Sequence, residues 1–200
     1  TTLTALFDTL DEDNETVTID ISGVTNGLEF NTQTQTVTIT DITTPPTVTL
    51  TVGGGSVNIT IGEGVGTTSI TTSVTATLSA VSALPVTVTL TKSGTAQETT
   101  PIDYTLAGTI TIPAGASSAS ITLTVAIDTL DENDETVVID IASVNNGSES
   151  AVQQKTVTIT DNDAEPTVTL SVSTNSVIES AVSTVITVSL STPSSFDVTV

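Results

Sequence analysis

The sequence predicts an all-β chain of tandem antiparallel two-sheet sandwiches, with about seven strands per unit. Three observations predict it. Threonine fills 47 of the 200 positions and alternates with Val, Ile and Leu in run after run. No apolar spacing of helical period persists over a helical length. Residues 1–52 align with residues 121–172 without a gap, at a period of 120, and 31 of the 52 positions are identical. A repeat of that length is one structural unit met more than once.

The runs give the elements in order. Thr36-Val37-Thr38-Ile39-Thr40, Thr47-Val48-Thr49-Leu50-Thr51 and Val86-Thr87-Val88-Thr89-Leu90 have a period of two. That period puts aliphatics on one face and threonines on the other. Both types are β-branched or apolar and suit a pleated surface. Turn signals separate the runs at Asn26-Gly27, Pro45-Pro46, Gly53-Gly54-Gly55, Ser93-Gly94, Pro113-Ala114-Gly115 and Asn146-Gly147. Short strands with one wet face each pair into a sandwich. The only aromatics are Phe7, Phe30, Tyr104 and Phe196, so the core is expected to be aliphatic.

The repeat also sets the domain limits. The Pro-containing linker after Thr-Ile-Thr-Asp makes 46–164 one complete unit. Residues 1–45 are expected to be the C-terminal half of a preceding unit, and residues 165–200 the N-terminal part of a following one. A half sandwich leaves an apolar face and open strand edges. Two arrangements answer that: a window on a longer array, or a polymer whose neighbouring copies complete the halves by strand exchange.

Charge excludes several functions. There are 23 acids, two lysines (Lys92 and Lys155), no arginine and no histidine, for a net charge of −21. Nucleic acid is not an expected partner, because phosphate neutralisation needs Lys and Arg. Anionic lipid is disfavoured for the same reason. Without Cys or His there is no thiol nucleophile, His-based triad or disulfide, and no zinc site of the usual kind. No run approaches 18 apolar residues, so no helical membrane insertion is expected. An enzyme is not expected, since no nucleophile or base partner stands out.

The acids are concentrated. Twelve of the 23 lie in 8–20 and 128–140. Two carboxylates 4 Å apart repel by roughly 4 kcal/mol at an effective dielectric near 20. Such a cluster must disperse into water, raise its pKa values or bind a cation. Strand parity favours the cation. If strand 47–52 runs down, strands 85–91, 119–127 and 155–160 also run down, and 68–78, 108–112 and 136–143 run up. Glu63, Asp103, Asp128, Glu132, Glu135, Asp161 and Asp163 then reach the same end, where the chain leaves for the next unit. Their donors are all hard oxygens, a set that suits Ca²⁺ better than Mg²⁺.

An ordered set of motifs resembles the Calx-beta domain. It runs Glu63-Gly64, Ser93-Gly94-Thr95-Ala96, Asp103-Tyr104, Gly108-Thr109-Ile110-Thr111-Ile112-Pro113-Ala114-Gly115, Ile127-Asp128 with Glu132 and Asp134-Glu135, then Val157-Thr158-Ile159-Thr160-Asp161-Asn162-Asp163. The resemblance implies tandem immunoglobulin-like sandwiches that bind a cluster of Ca²⁺ ions at one end, with the same seven acids as ligands. Asn162 interrupts a run that is often fully acidic in the family, which implies fewer ions or weaker binding. In the first partial unit Asp8, Glu12, Glu15 and Asp41 persist, but Ile42 and Thr43 replace the linker ligands, so a weaker site is expected. In the third, Glu179 stands where Glu63 does, with a spacing four residues shorter.

Other signals are weaker. Asp11-Glu12-Asp13-Asn14-Glu15 lacks the EF-hand glycine and terminal Glu spacing. Gly62-Glu63-Gly64-Val65-Gly66 lacks a phosphate-loop lysine. The expectation is a structural spacer or filament-forming repeat of an extracellular, cell-surface protein such as a bacterial adhesin, stiffened by Ca²⁺ at the interdomain end. Its expected partners are neighbouring repeats and other copies in a filament. The alternative is a calcium-sensing or ligand-binding module for glycan or protein.

Overall fold

The computed structural model of the chain describes residues 1–55, 58–64, 66–179 and 183–200. Every regular element among them is a strand. Ten strands between residues 47 and 160 form two five-stranded sheets. One sheet has the order β11 (Ser148–Glu149), β3 (Thr47–Val52), β5 (Ile70–Leu78), β9 (Ser118–Val125), β7 (Tyr104–Thr105). The other has the order β4 (Asn58–Gly62), β12 (Gln154–Thr160), β10 (Glu135–Asn145), β6 (Val86–Gly94), β8 (Thr109–Ile112).

The Thr/aliphatic alternation builds the core directly. Val48, Leu50 and Val52 of β3 are buried, as are Val86, Val88 and Leu90 of β6, while the threonines between them stay partly wet. Val74, Leu123 and Val125 from one sheet meet Ile110, Ile112, Val137, Ile139, Val157 and Ile159 from the other in a single cluster. Tyr104 is the one aromatic buried there among the described residues. Burial, followed by the charges of Glu98 and Asp103, raises its hydroxyl to about 12.

The Gly53-Gly54-Gly55 turn lies where the sequence signals it, but it leads out of its own sheet. All three glycines have positive φ, and the chain resumes as β4 in the opposite sheet. There Asn58–Gly62 pairs parallel with Thr156–Thr160. The first strand is therefore split between the sheets, and both halves run toward Glu63. Asn146 at φ 57 turns the other end, and β11 then pairs parallel with β3.

The flanks repeat pieces of this sandwich. β1 (Glu15–Asp20) pairs β2 (Thr34–Ile39) with Glu15 opposite Ile39, the register in which Glu135 faces Ile159. β13 (Val168–Val172) pairs β14 (Ile186–Leu190) with Val168 opposite Leu190, as Val48 faces Leu78. Their apolar faces are open. Val37 is 40% exposed where its counterpart Val157 is 0%, and Leu170 is 67% exposed where Leu50 is 0%.

Candidate metal centre

The strands deliver their acids to one end. β4, β9 and β12 all finish there, and β10 starts there, so Glu63, Asp128, Asp161 and Glu135 lie at or just beyond strand termini. The loop after β6 brings Asp103. Two glycines allow the close approach this needs. Gly94, at φ +118, lies so near the Thr136 carbonyl that any Cβ would overlap it. The Thr95 and Ala96 N–H groups donate to that carbonyl at 3.0 and 3.1 Å, which ties the loop to the start of β10. Gly64 leaves no room for a Cβ beside Ile127 and the Thr68 carbonyl.

The seven acids expected at this end come together. Glu63, Asp161 and Asp163 have oxygens within 4.8 Å of one another; so do Glu63, Asp128 and Glu132, and likewise Asp103, Glu132 and Glu135. Glu63 and Glu132 each belong to two groups, so the three groups join into one continuous row. No lysine offsets it: the one ion pair among the described residues joins Lys92 to Glu98.

The second layer orients these acids. The Asp161 Oδ2 accepts from the Glu132 N–H at 3.3 Å, and its Oδ1 from the Asp163 N–H at 3.0 Å. Asp128 Oδ1 accepts from the Leu130 N–H at 2.8 Å. Asp103 Oδ2 accepts from the Gln97 N–H at 2.6 Å. Asp134 and Asn162 do not stand out in the sequence as site residues, yet both hold the site. The Asp161 N–H donates to Asp134 Oδ1 at 3.1 Å, and Asn162 Nδ2 donates to the Glu63 carbonyl at 3.1 Å. The repeat carries the signal for the first of these: Asn14, the counterpart of Asp134, accepts from the Asp41 N–H at 2.9 Å.

The row is electrostatically unfinished. Glu63 is 7% exposed. Its Oε2 and the Asp163 Oδ2 are buried without a hydrogen-bond partner. Burial, then the charges of Asp128, Asp161, Asp163 and Glu132, push Glu63 up to about 7. Burial and a side-chain hydrogen bond with Asp103 hold Glu135 well above the carboxylate range. Glu132 and Asp163 are raised as well, first by burial and then by neighbouring acids. A buried carboxylate oxygen with no donor is costly, and a divalent cation removes that cost. An all-oxygen set of this size fits Ca²⁺ in number and in ligand flexibility.

The corresponding acids of residues 8–41 are arranged differently. Asp8, Glu12, Glu15 and Asp41 line one cleft, but among the described residues no three of them bring oxygens within 4.8 Å. Thr43 stands at the place of Asp163, and its Oγ1 donates to Asp41 Oδ2 at 2.8 Å. Hydrogen bonds from the Thr43 N–H and hydroxyl, then from the Glu12 N–H, hold Asp41 below the ordinary range. A hydroxyl thus satisfies the carboxylate there. Glu12 stays raised, by burial and then by Asp8, Glu15 and Asp41. Glu179 is exposed and joins no group of three acids among the described residues.

No protein-family model matches the chain, and no curated protein matches it. Solved structures do. CBD12 from CALX1.2 is 20% identical with a TM-score of 0.44, over 57% of this chain and 45% of that one. Calcium binding domain CBD12 of CALX1.1 is 24% identical with a TM-score of 0.44, over 53% and 42%. The apo-form Calx CBD1 domain is 19% identical with a TM-score of 0.44, over 58% and 99%. The chain thus covers less than half the length of the first two and nearly all of the third.

Proposed function

We propose that the chain is a non-enzymatic spacer of an extracellular, cell-surface protein, and that Ca²⁺ held at the exit end of the sandwich stiffens it. The single observation that carries this reading is the row of seven carboxylates whose buried Glu63 Oε2 has no donor. Asp161 and Asp163 belong to the row and sit on the linker itself. A cation there ties the linker to Glu63 and to the 128–135 loop and restricts its hinge motion. Without the ion the acids repel one another and the linker loosens.

Calorimetric titration of Ca²⁺ into the full chain, with its melting followed in parallel, tests the reading. Saturable binding and a raised melting temperature are expected. Ligand at about a hundred times Kd contributes roughly 2.7 kcal/mol. Glu132→Gln and Asp161→Asn should weaken binding and lose most of that gain. Small-angle scattering should give a larger maximum dimension in Ca²⁺ than in EDTA. No binding and an unchanged melt would overturn the calcium mechanism and leave the sandwich intact.

A further inference from the structure

Two acids of the clustered loops lie outside the three oxygen groups, although the charge of Asp131 is felt at Asp163. Asp11 and Asp131 are repeat counterparts, both are buried, and neither joins a group of three acids among the described residues. Each meets the following sandwich instead. Ser82 Oγ donates to Asp11 Oδ2 at 2.7 Å, and the Ala83 N–H donates to the Asp11 carbonyl at 2.9 Å. Ser194 Oγ donates to Asp131 Oδ2 at 2.7 Å, and the Ser195 N–H donates to the Asp131 carbonyl at 2.9 Å. In both places the serine hydroxyl also accepts from the N–H two residues on, Leu84 at 3.0 Å and Phe196 at 3.1 Å. Parallel backbone bridges join Asp11 to Ser82 and Asp131 to Ser194.

The same atoms therefore meet at the same distances across two junctions. The turns they meet differ in sequence, Ser79–Leu84 reading SAVSAL and Ser191–Phe196 reading STPSSF. What they share at the contact is the serine. A buried carboxylate demands a donor, and a hydroxyl fixed by its own turn supplies one in a single direction. A covalent linker alone is one tether and leaves rotation about itself free. The carboxylate–serine contact is a second tether, thirty residues upstream of the linker acid Asp161. Two tethers define an angle.

We infer that Asp11 and Asp131 are docking residues: each seats its unit on a turn of the next one, Asp11 on the turn between β5 and β6 and Asp131 on the turn after β14, and fixes the angle between successive units. The partner surface in each case is that turn, read through one serine hydroxyl and the N–H that follows it. The joint does not rest on the calcium reading. It works with or without a bound ion.

The chain has no cysteine, so spin labels on introduced cysteines report each junction cleanly. Thr18→Cys with Thr111→Cys spans the first junction, and Thr122→Cys with Thr187→Cys spans the second; all four positions are exposed. Pulsed dipolar spectroscopy on the full chain should give one distance distribution per junction: narrow at the first in Ca²⁺ and in EDTA, and at the second narrowest in Ca²⁺ and, in EDTA, wider but still narrower than in the Ser194→Ala chain. Ser82→Ala should widen the first distribution by about twofold or more and leave the second alone, and Ser194→Ala the reverse, because relative motion is the default once a domain contact is lost. Ser82→Thr and Ser194→Thr should restore the parent distributions, and calcium titration should be unchanged by Ser82→Ala, whose partner Asp11 lies away from the row. Unchanged widths in both alanine variants would overturn the joint. So would a parent distribution that is as wide in EDTA as the alanine variants are, since the ion would then set the angle. Narrow distributions in a chain that binds no calcium would leave the joint standing and remove only the calcium reading.

Discussion

At Glu63 burial and like charge act in the same direction. Its folded pKa, about 7, lies above the ordinary 4.5. The sign follows from linkage: the folded state holds a proton that the unfolded state releases. Stability from that proton is complete below about 4.5 and is lost as pH rises through about 7. Glu135 is raised too and adds to the trend. In EDTA the protein should therefore melt higher at pH 5 than at pH 8, and a flat or reversed trend would contradict the row. Protons and cations compete for the same oxygens, so Ca²⁺ should bind more weakly at pH 5. Glu63→Gln separates the two effects. The amide mimics the protonated acid, so at pH 8 in EDTA it should be more stable than the parent, on the order of 1–3 kcal/mol. It should also gain little from Ca²⁺. Thermal melts of both proteins, with and without the ion, check both halves.

The elements show why part of the fold was legible and part was not. β3, β5, β6, β9, β10 and β12 carry their own period-two pattern, so their order and direction could be read, and with them the end to which seven acids travel. β7 and β11 have two residues each. Neighbouring strands impose them, and no side-chain pattern announces them. β4 was hidden because a glycine triplet signals a turn and, here, carries the chain from one sheet to the other. The docking role of Asp11 and Asp131 was equally hidden: period and composition describe a strand's faces, while a joint depends on where two ends meet. Gly94 tests the element that closes the site. At Gly94→Ala the new Cβ collides with the Thr136 carbonyl at a positive φ, which should cost about 2–4 kcal/mol and pull Asp103 away from Glu135. Gly115, at φ +78 with open space around it, is the control. Gly115→Ala should cost only about 1 kcal/mol and leave calcium affinity unchanged. Equal losses of affinity in the two variants would show that strain alone, and not the loop's position, governs binding.

For the whole molecule the question is how 23 acids and two lysines stay compact. Two mechanisms relieve the repulsion, and they differ in range. Monovalent salt screens every exposed charge, with a screening length of about 10 Å at 0.1 M and about 3 Å at 1 M. It acts poorly on oxygens that are already out of water, such as the Glu63 Oε2 and Asp163 Oδ2. A chelated divalent ion does the opposite: it neutralises the buried row and leaves the scattered acids untouched. The two effects should therefore add. In EDTA, raising NaCl from 0.05 to about 0.5 M should raise the melting temperature by a few degrees, the shift expected for about 1 kcal/mol in a chain of this size. Millimolar Ca²⁺ at constant ionic strength should raise it further, and Mg²⁺ should do so less, because it keeps its waters and takes fewer protein ligands. If sodium alone reached the calcium value, the acids would be a diffuse surface charge and the row would hold no ion. If calcium raised it well beyond sodium, and magnesium did not, the stabilisation would reside in the seven carboxylates at the exit end and not in the net charge.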